Sequence, residues 1–418
     1  MSVKNTLIVI LLSLVTFLSQ AQVKIRLFAD NMPRTTVFTV RNGRYVIKTA
    51  GNSEGIPLSI NIPVIITRFD GKLAVKIKDV QGFVCDSVIF TGATGNDVFS
   101  LRVPGTGLGY NFYTGSLSCY SDMSSLILVN NCKIESYICG VVETEGGTAK
   151  NPEYFKTQAI LARTYLFRNF NKHIADGYNL CDNTHCQAFN GLTGNPDIKM
   201  AVSQTRGLVI IGQDSSLIVA AFHSNCGGET SSSEDAWLKA EPYLVQVKDP
   251  FCHSSRNASW TKKVSLKDWE AMLQRAGYNG KTGDANVFAF KQEERASDYI
   301  TTSFKMPLRS VRDAMKLRST YFSVYPEKDS LLLKGKGYGH GVGLCQEGAM
   351  TMARQGYSYK QIIDFYYKGV TITDIKNAVI LPGDNVTVSF SNDSTGNNES
   401  SEHVAPTAGR RGTVVHAP

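Results

Sequence analysis

Near Cys132 the spacing of apolar residues changes from every second position to every third or fourth. Upstream, from residue 23 to about 130, the runs KIRLFAD, TVFTVRNGRYVIKT, LAVKIKDV and SLILVNN are rich in Val, Ile and aromatics. Asn-Gly and Asp-Gly pairs break them. That period and those turn residues predict short β-strands throughout. Downstream, KIESYICGVVETE places Ile134, Ile138 and Val141 on one helical stripe. Asn151 and Pro152 then suit an N-cap and a first-turn proline. They open EYFKTQAILARTYLFRNF, where Phe155, Ala159, Ala162, Leu166 and Phe170 form a second stripe. A mixed run of strands and short helices follows to about residue 372. The pattern predicts an α+β fold: a β-rich region over 22–130, then a mixed helix and strand core over 131–379.

The ends read differently. MSVKN, the apolar TLIVILLSLVTFL and the small residues of SQA describe a secretory signal peptide over 1–21, cleaved after Ala21. No Cys follows the cleavage point, and no later apolar run is long enough to hold the chain in a membrane. The mature protein is therefore expected to be exported, to the periplasm or cell envelope. Residues 380–418 are dominated by Asn, Ser, Gly and Thr and are expected to be a disordered tail. The net charge of +8 comes without a dense Lys or Arg run. That argues against a nucleic-acid groove and suits work near anionic polymers. The nine cysteines are an odd number, so at least one is free, metal-bound or intermolecular.

Four segments could carry chemistry. In CGVVETEGG, a turn of about 100° per residue puts Glu145 about 20° from Ile134 and Glu143 on the opposite side. Glu145 then faces a partly desolvated surface, which raises a carboxyl toward a usable general acid. The alternative is a helix-end glutamate pointing into water. In HIADGYNLCDNTHCQAF, His173, Cys181, His185 and Cys186 make a donor set for a closed tetrahedral structural zinc. A Cys181–Cys186 disulfide with two ordinary histidines is the competing reading. FHSNCGGETSSSEDAWLKAEPYL gathers His223, Ser224, Glu229, Glu234, Asp235 and Trp237. Trp and carboxylates suit stacking on sugars and hydroxyl recognition better than a Cys226–His223 nucleophile pair. Finally, KGKGYGHGVGLCQEGAM has glycine at 335, 337, 339, 341 and 343. As a strand it would leave one face bare and gather Lys334, Lys336, Tyr338 and His340 on the other; as a glycine-rich turn it would be structural.

Together IESYICGVVETE, KTQAILARTY, CDNTHCQAFNG, AFHSNCGGETSSSEDAW and GKGYGHGVGLCQEGAMTMARQGYSYKQIIDFYYKGVTI resemble the stage II sporulation protein D (SpoIID) and LytB family of cell-wall proteins. The resemblance runs in order from about residue 110 to 372. It implies a lytic transglycosylase acting on peptidoglycan glycan strands in a central cleft, with the catalytic Glu of a Gly-Val-Val-x-x-Glu pattern at Glu145. It also implies zinc on Cys181, His185 and Cys186, with His173 as the fourth ligand by composition. Arg163, Tyr165, His223, Ser224, Trp237, Tyr338, His340 and Gln346 are its expected substrate-binding residues. Two departures stand out. Gly146-Gly147 replace the Met-Pro that usually follows the glutamate, and Cys226 and Cys345 stand where serine is usual. Those two cysteines are expected to pair, with Cys226–Cys252 as the rival bond. The family's other activity, glycan-binding enhancement of a cell-wall amidase, is the competing function. A structural envelope protein that docks through its β-rich half is a third.

Overall fold

The computed structural model describes residues 21–379, apart from 79, 147–150, 238, 302 and 303. The expected signal peptide, except Ala21, and the tail over 380–418 lie outside the described residues, as does Gly147. The fold is α+β, with strands concentrated in the N-terminal region as expected. No helix among the described residues is long and apolar enough to cross a membrane.

Two compact units divide the chain, and they do not follow the expected segments 22–130 and 131–379. One holds residues 21–145 and 169–199; the other holds 146–168 and 200–379. The first unit contains strands β1 (Gln22–Leu27), β2 (Thr35–Asn42), β3 (Tyr45–Thr49), β4 (Asn52–Leu58), β5 (Pro63–Phe69) and β6 (Lys72–Ile77). It continues with β7 (Phe83–Cys85), β8 (Ser87–Gly92), β9 (Val98–Arg102), β10 (Asn111–Thr114), β11 (Ser116–Ser121) and β12 (Leu126–Lys133). A two-residue strand, β13 (Leu180–Cys181), joins them from far along the chain by pairing parallel to β1. That return explains why residues 169–199 belong to this unit.

The strands form two sheets, ordered β13-β1-β12-β11-β8-β3-β4 and β10-β9-β2-β5-β6-β7. Phe38 of β2 stacks on Phe90 of β8 at 4.0 Å and meets Tyr45 of β3 edge-on at 5.6 Å, so the apolar faces pack on each other. The Asp-Gly pair does make a tight hairpin: Asp70 and Gly71 have φ of 48° and 73° between β5 and β6. The Asn-Gly pair instead turns the chain from one sheet to the other. Gly43 has φ of +80°, and a Cβ there would lie 1.8 Å from Asp97 Oδ1.

The second unit begins its helical part with α2 (Pro152–Arg168), preceded in the chain by α1 (Ile134–Glu145) of the first unit. Asn151 caps α2 as expected, its Oδ1 accepting the Glu153 N–H at 2.9 Å. α2 lies against strand Leu208–Ile211 and helices Gln346–Arg354 and Tyr359–Tyr366. A separate three-stranded sheet has Ser330–Lys336 at its centre, between Ser259–Ser265 and Phe322–Glu327. Trp269, Phe288, Tyr299 and Leu331 form its core.

Candidate active site and metal centre

Helix α1 follows β12 without a break, so the sheet fixes its direction. Tyr137, Ile138, Val141 and Val142 are buried, Glu143 is exposed, and Glu145 is only 5% exposed. The opposition of the two glutamates is the one the helical period requires. Gly140 lets residues 186–193 lie down on the helix, because a Cβ there would sit 2.2 Å from the Gly191 carbonyl oxygen. The segment is then bonded along its length. Tyr137 Oη donates to Gln187 Oε1 at 3.3 Å, and the Asn190 N–H to Thr144 Oγ1 at 3.3 Å. The Thr193 hydroxyl donates to Glu143 Oε2. The Ala188 N–H donates to Glu145 Oε1 at 2.8 Å. Burial pushes the Glu145 carboxyl up from the usual 4.5 to about 7, against the downward pull of that N–H. Such a group can give a proton and take one at neutral pH.

The chain leading into that segment carries the metal-ligand set, of which Cys186 is the last member. One donor atom from each of His173, Cys181, His185 and Cys186 lies within 4.8 Å of the others. Cys181 and Cys186 are free thiols, so the competing disulfide is not formed. Cys181 is placed by the pairing of β13 with β1, and Asp182 fastens the turn after it by accepting the N–H groups of Phe28 and Ala29 at 2.5 and 3.1 Å. His173 Nδ1 faces Asp176 Oδ2 at 3.1 Å, while its buried Nε2 has no hydrogen-bond partner among the described residues. That is the orientation of an imidazole whose free nitrogen serves a ligand. Two sulfurs and two imidazoles fit a tetrahedral Zn2+. Only Gln187 separates Cys186 from Ala188, so the ligand set and the donor to Glu145 share one short stretch.

The residues expected to bind substrate all fall in the second unit, and their environments differ. Trp237 lies 5.3 Å from the His340 ring, and both line a cavity of about 380 Å3. Arg295, Arg309 and Arg312 also line it. His340 Nε2 donates to the Phe222 carbonyl at 2.9 Å, and its Nδ1 accepts the Val342 N–H at 3.0 Å. Burial, reinforced by Arg312, lowers it to about 4, so it is neutral. Tyr165 and Tyr338 are half-buried, with the Arg318 guanidinium 5.8 Å from the Tyr338 ring. Gln346 is 5% exposed. Ser224 Oγ accepts from Asn257 Nδ2 at 3.2 Å. His223 is buried, its Nδ1 donating to Val342 O at 3.1 Å, and burial holds it well below the ordinary imidazole range.

Three expectations need correction. Arg163 was expected to line the cleft and bind substrate, but it is fully buried and donates to the carbonyls of Leu208 at 3.1 Å and Val202 at 3.5 Å. It ties α2 to its neighbours. The alternating glycines do not form an extended strand either. The strand ends at Lys336, and Gly337, Gly339, Gly341 and Gly343 have φ of +76°, +112°, +86° and +70°. A left-handed residue at every second position is incompatible with a pleat. These turns let the segment interleave with residues 221–227: a Cβ would lie 2.5 Å from Asn225 O at 337 and 2.2 Å from Ala221 O at 343. The glycines serve packing between two chain segments.

The expected Cys226–Cys345 and Cys226–Cys252 bonds are not formed, since all nine cysteines are free. The reading of residues in isolation also missed the Ala188 N–H, Thr193 and the cavity arginines. Arg309 and Arg312 alone left a signal, three apart on a helix whose buried positions are Leu308 and Val311.

The family model for stage II sporulation protein matches residues 122–211. The chain is 30% identical over 343 residues to an uncharacterised protein of Brachyspira hyodysenteriae, covering 77% of this chain and 85% of that one. It is 30% identical over 266 residues to the stage II sporulation protein D of Bacillus amyloliquefaciens, covering 59% and 76%. It is also 28% identical over 287 residues to an amidase enhancer of Bacillus subtilis, covering 56% of this chain and 40% of that one.

Proposed function

The chain belongs to the stage II sporulation protein D family, and on that premise we propose that it is an exported lytic transglycosylase of peptidoglycan glycan strands. The observation that carries the reading is Glu145, 5% exposed, held by the Ala188 N–H and raised to about 7. Most glycosidases divide the work between two carboxyl groups. A lytic transglycosylase needs one, because the sugar supplies its own nucleophile. Glu145 as acid protonates the glycosidic oxygen between N-acetylmuramic acid and N-acetylglucosamine as the C1–O bond breaks. As base it then takes the proton of the C6 hydroxyl while that oxygen bonds C1, leaving a 1,6-anhydro end. Both steps use one carboxyl, which returns to its starting state. Closing the ring within one sugar gains the entropic advantage of an intramolecular attack.

The cavity of the second unit supports glycan binding. Trp237 offers a stacking face, and Arg295, Arg309, Arg312 and Lys316 outnumber Asp235 and Asp313 in its lining. N-acetylmuramic acid carries a lactyl carboxylate that such a lining would attract. We assign structural Zn2+ to His173, Cys181, His185 and Cys186, whose four donors would satisfy a tetrahedral ion and leave no position for a reacting water. Such an ion would hold residues 181–186 in place, and with them the neighbouring Ala188.

The likeness to an amidase enhancer supports a second reading, in which the chain binds glycan and stimulates a partner amidase. One assay separates the two. Purified protein is incubated with glycan strands stripped of stem peptides, and products are read by mass spectrometry. Anhydro-ended fragments support transglycosylation; intact strands retained on the protein, with no anhydro ends, support the enhancer.

A further inference from the structure

The cysteines that do not pair converge elsewhere. Sγ of Cys226, Cys252 and Cys345 and a carboxylate oxygen of Asp249 all lie within 4.8 Å of one another. All four residues are buried, the three thiols fully and Asp249 at 1% exposure. We propose that Cys226, Asp249, Cys252 and Cys345 form a second metal site, in the second unit, that takes a borderline-soft divalent cation of the zinc class.

Three lines favour a metal over a disulfide. Any single S–S bond among three sulfurs leaves the third beside a buried carboxylate, whereas a tetrahedral cation uses all four donors. The surroundings also resemble those of a built ligand shell. The Cys345 sulfur accepts the N–H of Cys226 at 3.3 Å and of Gly348 at 3.4 Å, at the start of helix Gln346–Arg354. Asp249 is aimed by two donors, Tyr366 Oη at 2.9 Å and the Phe251 N–H at 2.8 Å. Such partners fix ligand geometry and disperse thiolate charge. Charge is the third line. Three thiolates and a carboxylate around a dication carry the same formal charge as a four-cysteine zinc site. The helix N-terminus and the half-buried Arg295, whose Nη2 donates to the Cys226 carbonyl at 2.6 Å, offset it. Gly348 packs closely on the carboxylate: a Cβ there would lie 2.5 Å from Asp249 Oδ2 and 2.2 Å from Tyr366 Oη. The site is closed and structural.

On binding, the thiols release their protons to solvent and the sulfurs become ligands. The metal then joins three stretches: the one after Phe222–His223, the Asp249–Cys252 loop, and Cys345 with its helix. These are the stretches that present His223, Ser224 and Gln346, so the staple holds the interleaved glycine segments without a disulfide.

The test is metal content of the chain purified without chelator, together with a thiol count on denatured, chelated and unreduced protein. Two zinc ions per chain and nine reactive thiols are expected. Cys252→Ser should lose one ion and Cys181→Ser/Cys186→Ser the other. Should Cys252→Ser fail to fold, Asp249→Asn keeps all three sulfurs and should release its ion at a chelator concentration at least tenfold lower. Two thiols fewer than nine, or a zinc content that neither Cys252→Ser nor Asp249→Asn alters, overturns the second site. Loss of all zinc in Cys181→Ser/Cys186→Ser alone would also overturn it. One ion that survives in that double variant would instead support this site and remove zinc from the first.

Discussion

In the proposed reaction Glu145 is protonated as the glycosidic bond breaks and ionised a moment later, and burial beside the Ala188 N–H places it where both forms are accessible near pH 7. Glu145→Gln should lower formation of anhydro ends by about 10²- to 10⁴-fold while strand binding is kept, read by mass spectrometry and a pull-down on glycan. In the wild type, activity should fall as pH rises past about 7, because the acid form is then lost. Stability carries the matching signature. The folded pKa lies above the unfolded one, so folding is favoured most below about 4.5 and loses about 3 kcal/mol as pH rises to about 7. Glu145→Gln should flatten that slope in urea titrations across the window and be the more stable protein at pH 7.5. The helical period alone was enough to tell Glu145 from Glu143, since both lie on one regular helix. It could not tell that Arg163 is buried, because α2 is enclosed on nearly every side and a stripe reveals only one of them.

At the scale of elements, the contact between α1 and residues 186–193 is what presents the N–H to the glutamate. Gly140→Ala should force that contact apart, costing about 1–3 kcal/mol by overpacking and lowering turnover. Thermal denaturation and the anhydro-product assay, run together, check both. The metal-ligand loop acts on the same stretch, so His185→Ala should lower the melting temperature, and chelation should lower it further by less in the variant than in the wild type. The strands of the first unit were legible because alternation and Asp-Gly survive in any half-buried sheet. Two features were not. β13 is two residues long and owes its place to β1 across the chain, and the alternating glycines imitate a strand while adopting left-handed turns. In both, distant packing decides a backbone that local spacing leaves open.

For the whole molecule, the α+β class followed from the change of period near Cys132, but the division into units did not. Residues 169–199 return to the first unit through pairings that no local pattern announces. The motif segments 181–190 and 222–226 consequently belong to different units. The arginine-lined cavity of the second unit should make glycan binding sensitive to salt. Arg312→Ala should weaken it several-fold at low ionic strength and little at high, measured by co-sedimentation with peptide-free strands. The account rests most heavily on what the purified chain does to such strands. Mass spectrometry after incubation should find new 1,6-anhydro-N-acetylmuramic ends with the wild type and almost none with Glu145→Gln. Equal yields from both proteins, or reducing ends in place of anhydro ends, would contradict it.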